Sequence, residues 1–182
     1  MEKTSLIGLS LGGIIAADFT LEHPEMVEAL VLTASGLRGD KSPRNEKSIV
    51  IYKTAEEQGM EKAIDLWMEH PFFASGANNP AYVRRLRQML ADNYKYWGPT
   101  SEPIRVIWSK QPTVERLSEI KIPTLIIVGD KDAVGILSIA DTLQTKITGA
   151  KKVVIADVSH HLTMEKPYNY NRVVLKFLKR ML

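Results

Sequence analysis

Thr4-Ser5-Leu6-Ile7-Gly8-Leu9-Ser10-Leu11-Gly12-Gly13 is the stretch on which the fold turns. Thr4–Ile7 has the length and apolar content of a strand, and Gly8 stops it. Leu11–Glu22 reads as a helix, whose small residues Gly12, Gly13, Ala16 and Ala17 let it lie close against a sheet. His23-Pro24 ends that helix, because proline cannot continue the hydrogen-bond ladder. Between strand and helix, Gly8-Leu9-Ser10-Leu11-Gly12 matches G-x-S-x-G, the pattern of a sharp turn that holds a serine in a strained conformation. A Cβ at Gly8 or Gly12 is expected to collide with such a turn, and Gly13 adds room for helix–sheet packing. The turn presents the Ser10 hydroxyl at the carboxyl edge of the sheet. It also aims the backbone N–H of Leu11 into the same space, at a helix N-terminus that favours developing negative charge. The plainer alternative is a serine that merely caps the helix.

Outward from this stretch, Val27–Thr33 is a second strand. Its near-continuous apolar run, Ala29-Leu30-Val31-Leu32, fits burial on both faces. Strand, helix and strand in so short a span make a βαβ unit and predict a parallel sheet. Arg38–Lys47 is polar and reads as a linker. From Ser48 to Trp97 the pattern is helical, with helices expected near Ser48–Gln58, Met60–Glu69 and Pro80–Tyr94. Tyr52, Trp67, Phe72, Phe73, Tyr82, Tyr94, Tyr96 and Trp97 are expected to pack this unit internally, and the alternative is that some of them line an apolar pocket with Met60, Met68 or Met89. A third strand, Thr124–Val128, precedes a helix over Gly135–Lys146. A fourth strand, Lys152–Ala156, precedes a final helix over Lys166–Met181.

A serine hydroxyl needs a base to become a nucleophile. Of the four histidines, His23 and His70 precede prolines and read as surface and structural residues. His160 and His161 follow the fourth strand, at the carboxyl edge where open α/β sheets place their sites, so one of them is the candidate base. The base needs an acid to fix its tautomer. Asp130 and Asp132 follow the third strand at the same edge, and either can play that part or serve as a cap or turn residue. The chain order Ser, Asp, His is that of α/β-hydrolases.

Composition narrows the function classes. The absence of cysteine excludes disulfides, thiolate metal sites and a cysteine nucleophile. A net charge of +3 is too weak to imply nucleic acid, and the basic cluster Arg84, Arg85 and Arg87 reads as a solvated helix face. No run reaches the ~18 apolar residues that span a bilayer, so no membrane association is expected. With no secretory pattern after Met1, a cytoplasmic location is the expectation.

The chain resembles the α/β-hydrolase family, in its esterase, lactonase and haloperoxidase-like group. Gly8–Gly13, His23-Pro24-Glu25-Met26-Val27 and Leu30-Val31-Leu32 resemble that group's nucleophile turn, helix and next strand. Ile122–Asp132 resembles its acid-bearing segment, which implies Asp132 as the acid. Ser159-His160-His161-Leu162-Thr163-Met164-Glu165-Lys166-Pro167 resembles its histidine segment, which implies His160 as the base; a serine stands at 159 where glycine is usual. The resemblance implies a short, mainly parallel sheet of about four strands flanked by helices: a core of residues 1–38 and 113–182 with a helical lid at 39–112. It further implies a serine hydrolase acting on a small-molecule carboxylic ester or related acyl substrate, with no cofactor and no metal.

In the family the strand that leads into the nucleophile turn is the fifth of eight, whereas here it begins within a few residues of Met1. The expectation is therefore a chain lacking the family's N-terminal half, with Thr4–Ile7 as an apolar edge that invites pairing with a second copy or a complementing chain. The loop that gives the family's second oxyanion donor has no counterpart. Losing one donor costs on the order of 10²–10³ in rate, so the chain alone is expected to be a weak hydrolase at best. Rival readings are a lactonase, carbon–carbon bond hydrolase, thioesterase or perhydrolase, and a truncated, non-catalytic binding or assembly module.

Overall fold

The computed structural model describes residues 3–41, 47–93 and 110–180, with the backbone alone at 47–49 and 52. The chain divides into two compact units, residues 1–42 with 108–182, and residues 43–107.

The first unit is an α/β layer structure. Its strands are β1 (Thr4–Leu9), β2 (Val27–Thr33), β3 (Thr124–Gly129) and β4 (Lys151–Ile155). They form one sheet in the order β1-β2-β3-β4, and every neighbouring pair is parallel. The registers Leu9↔Thr33, Thr33↔Ile127 and Gly129↔Ile155 bring all four strands to an end at one edge.

Side-chain alternation explains the two-faced core. In β2, Leu30 and Leu32 point to one face and Ala29 and Val31 to the other, and all four are fully buried. Leu30 and Leu32 meet Ile126 and Val128 of β3, with Ala16, Ala17 and Leu21 of α1 (Leu11–Glu22) and Leu143 beyond them. Ala29 and Val31 meet Leu125 and Ile127, packed against Val174 and Phe177. Each such buried Leu, Ile or Val stabilises the fold by about 1.5–3 kcal/mol. Leu143 belongs to α6 (Val134–Lys146), and Val174 and Phe177 belong to α8 (Pro167–Leu178). β1 carries less of this core: Ile7 is exposed, as are Leu11 and Ile15 on the neighbouring helix.

The chain around the insertion is pinned to α1. Asp18 accepts a hydrogen bond from Arg38 Nε at 3.0 Å and another from the Thr113 hydroxyl. The amide of Val114, in α5 (Thr113–Arg116), donates to the carbonyl of Arg38 at 3.1 Å.

The second unit is helical: α2 (Lys47–Gln58), α3 (Met60–Met68), a 3-10 segment at Pro71–Gly76, and α4 (Pro80–Asp92). Phe73 and Tyr82 are buried as expected. Tyr94, Tyr96 and Trp97, and the side chain of Tyr52, lie outside the described residues. His70 is fully buried, its Nδ1 accepting the Phe72 N–H at 3.2 Å, in keeping with a structural histidine. Arg84 and Arg85 are exposed, and Arg87 pairs with Asp65 at 2.8 Å. Helix α5, the one-turn helix α7 (Leu162–Glu165) and the 3-10 turns are too short to show a periodicity in the sequence. No helix among the described residues is long and apolar enough to cross a membrane.

Candidate active site

Ser10 lies one residue past the end of β1 and immediately before α1. Its backbone has φ 52° and ψ −114°, a region that costs a non-glycine residue on the order of 1–3 kcal/mol. Four backbone hydrogen bonds hold it there. Ser10 N–H donates to the carbonyl of Thr33 at 3.0 Å, and its own carbonyl accepts from Gly13 at 3.0 Å, Gly36 at 3.2 Å and Ile14 at 3.3 Å. Its side chain makes no capping hydrogen bond to α1, so the plain cap does not describe it.

The glycines divide. A Cβ on Gly8 would lie 2.3 Å from the carbonyl oxygen of Gly12, and one on Gly13 would lie 2.3 Å from Ser35 Oγ. A Cβ on Gly12 would meet nothing within 4 Å. The expected collision at Gly12 is thus corrected: that position is already on the helix, and its missing side chain would point into open space. Gly13 needs its lack of a side chain because the loop after β2 crosses α1 at Ser35.

Asp132 and His160 come together at the ends of β3 and β4. His160 Nδ1 stands 3.0 Å from Asp132 Oδ2 and 3.1 Å from Oδ1. Both side chains are buried. The second oxygen is further engaged, since Asp132 Oδ1 accepts the Ala133 N–H at 2.7 Å. A buried carboxylate that brackets Nδ1 favours the proton on that nitrogen and leaves Nε2 as the basic one.

Asp130 and His161, the alternatives left open by the residues, make other contacts. Asp130 Oδ1 accepts the Val158 N–H at 3.3 Å. His161 is partly buried, its ring tilted 29° from that of His160 with centroids 6.2 Å apart. Burial, reinforced by repulsion from His160 and opposed by Asp132, lowers its pKa to about 4. The ring of His161 is therefore neutral over the ordinary pH range.

Three further supports of the site are not evident from the sequence. Gly129 packs against the histidine loop so closely that a Cβ would stand 2.2 Å from the Val158 carbonyl oxygen. Thr33 takes the Ser10 N–H with its carbonyl, and its hydroxyl lies 3.1 Å from the Tyr170 hydroxyl of α8. Ala34, at φ 41°, turns the chain toward Gly36. Only the glycine before the aspartates carried a signal that could have been read. Among the described residues, no cluster of three histidine or acidic side chains is placed to hold a metal ion.

Comparison with known proteins adds to this geometry. The family model described as alpha/beta hydrolase fold matches residues 2–167. A Bacillus subtilis (strain 168) protein bearing the name 2-succinyl-6-hydroxy-2,4-cyclohexadiene-1-carboxylate synthase is 28% identical over 191 residues, covering 98% of this chain and 66% of that protein. The 2-hydroxy-6-oxononadienedioate/2-hydroxy-6-oxononatrienedioate hydrolase of Escherichia coli (strain K12) is 29% identical over 188 residues, covering 98% of this chain and 63% of that protein. Among solved structures, a thermophilic esterase superposes with a TM-score of 0.75 at 27% identity, covering 98% of this chain and 67% of that one. The chain thus spans slightly less than two thirds of the length of these two curated relatives.

Proposed function

The chain belongs to the alpha/beta hydrolase fold family, and from that premise we propose that it carries the catalytic triad of a serine hydrolase acting on a carboxylic ester or related acyl substrate. The observation that carries this reading is the buried Asp132–His160 pair, at the same sheet edge as the strained Ser10 turn. Ser10 Oγ attacks the carbonyl carbon as His160 Nε2 takes its proton. Asp132 holds the imidazole in the needed tautomer and stabilises the imidazolium. The Leu11 N–H, in the first turn of α1, has no acceptor within the helix and supports the oxyanion. His160 then returns the proton to the leaving group, and water repeats the sequence on the acyl-enzyme.

The test is covalent labelling of the chain by a fluorophosphonate, with hydrolysis of p-nitrophenyl esters alongside. Labelling that vanishes in Ser10→Ala and falls steeply in His160→Ala supports the triad. Labelling that persists in Ser10→Ala sinks it, and a native chain that never labels counts against Ser10 as the nucleophile.

A second reading stays within the same site. The Escherichia coli relative is named 2-hydroxy-6-oxononadienedioate/2-hydroxy-6-oxononatrienedioate hydrolase, which favours a carbon–carbon bond hydrolase as the alternative reaction. A panel of simple esters, lactones and vinylogous diketo-acids separates the two, because both readings use Ser10 and only the preferred substrate differs.

A further inference from the structure

The geometry points to Asp130 as a positioning residue: its carboxylate clamps the histidine loop and thereby sets the Asp132–His160 hydrogen bond. This inference rests on the reading of Asp132 and His160 as the catalytic pair.

The two aspartates act at the same offset along the chain. Asp130 holds Val158 and Asp132 holds His160, each 28 residues further on. Beyond the Gly129↔Ile155 register the β3–β4 ladder runs on past the sheet: Asp130 N–H donates to the carbonyl of Ile155 at 3.1 Å, and Lys131 N–H to that of Val158 at 3.0 Å. Between them the chain turns at Asp157, whose φ is 56°. That turn breaks the strand alternation and would deprive the Val158 amide of a backbone acceptor. Asp130 Oδ1 supplies the acceptor.

Val158 is fully buried, so an unmet N–H there would be costly. It is held on both polar groups, its amide by the Asp130 side chain and its carbonyl by the Lys131 N–H. Gly129 lets the strand approach this close, with room for no side chain. Lys131 Nζ bonds Asp157 Oδ1 at 2.8 Å on the exposed side of the same turn. Val158 is two residues from His160, and Ser159 between them is fully buried. A displacement of Val158 therefore passes to the imidazole, with little slack to absorb it.

The test uses the full chain with nitrogen-labelled histidine and reads the His160 Nδ1-bound proton by NMR, assigned by its loss in His160→Gln. Asp130→Ala is expected to abolish or broaden that resonance while unfolding stays cooperative. Asp130→Asn keeps an acceptor oxygen and is expected to retain it. Fluorophosphonate labelling of Ser10 should fall about tenfold or more in Asp130→Ala and change little in Asp130→Asn, since small misplacements of a catalytic group have effects of this order. An Asp130→Ala chain that keeps the His160 resonance, even if less stable, overturns the inference. If Asp130→Ala does not fold, Asp130→Glu, which moves the acceptor by one methylene, is judged by the same resonance. A native chain that fails to label counts against the nucleophile and not against the clamp, because the resonance is read without Ser10.

Discussion

Gly8 lies so close to Gly12 that a Cβ on it would stand 2.3 Å from the Gly12 carbonyl oxygen, while a Cβ on Gly12 would point into open space. The two glycines of the turn are therefore unequal, although the motif presents them as a pair. Gly8→Ala should destabilise the chain by about 1–3 kcal/mol, the usual range for forcing a methyl into a filled site, and should slow labelling of Ser10. Gly12→Ala should leave stability unchanged or raise it by up to about 1 kcal/mol, because alanine favours the helix. Urea unfolding of the two variants measures the contrast, and equal losses would refute it.

Asp132→Asn keeps the shape of the carboxylate but removes its charge and reverses the hydrogen-bonding preference at Nδ1. The His160 ring would then favour the wrong tautomer. Ester turnover and fluorophosphonate labelling should fall on the order of 10⁴-fold at neutral pH, as expected for a triad acid. A loss of less than tenfold would remove Asp132 from the proton path.

His161 makes the fold sensitive to acid. Its ring stays neutral in the folded chain down to about pH 4, against an ordinary value of 6.5. Between these values the unfolded chain holds the extra proton, so stability falls as pH drops from 6.5 towards 4. Native chain should lose on the order of 2 kcal/mol more than His161→Phe over that interval. Parallel urea titrations of the two at several pH values would show the difference, and coincident curves would assign the acid sensitivity elsewhere.

Asp18 serves two donors from distant parts of the chain, Arg38 and Thr113. Both side chains of the Asp18–Arg38 pair are mostly buried. Asp18→Ala takes the carboxylate away from the Arg38 guanidinium, which keeps its bond to the Gln111 carbonyl, and from the Thr113 hydroxyl, and should cost about 2–3 kcal/mol. Thr113→Val removes one hydrogen bond to that carboxylate and should cost about 1.5 kcal/mol. Thermal unfolding checks the ranking, and a smaller loss in Asp18→Ala than in Thr113→Val would contradict it.

The sheet was legible because burial on two faces writes itself as an uninterrupted apolar run, as in Ala29–Leu32 and Thr124–Val128. The turn at Ser10 was legible because its steric demand at Gly8 and Gly13 leaves little choice of residue. The different contacts of Asp130 and Asp132 were not legible from the residues. Two carboxylates two positions apart on an irregular loop differ only in what lies opposite, and that is set by Val158 and His160 from another loop. The Asp18–Arg38–Thr113 contact was hidden for the same reason: nothing near any one of these residues announces a partner so far along the chain.

The pairing of Leu30 with Thr124 closes a loop that contains all of residues 43–107. The entropy of closing a flexible loop grows only with the logarithm of its length, about 0.6 kcal/mol for each doubling. Lengthening or shortening this insertion therefore changes the stability of the sheet very little, while the short β1–β2 connection has no such latitude. As far as the entropy of closure goes, exchanging the inserted helices for others of different length leaves the pairing of β2 with β3 almost indifferent to the change.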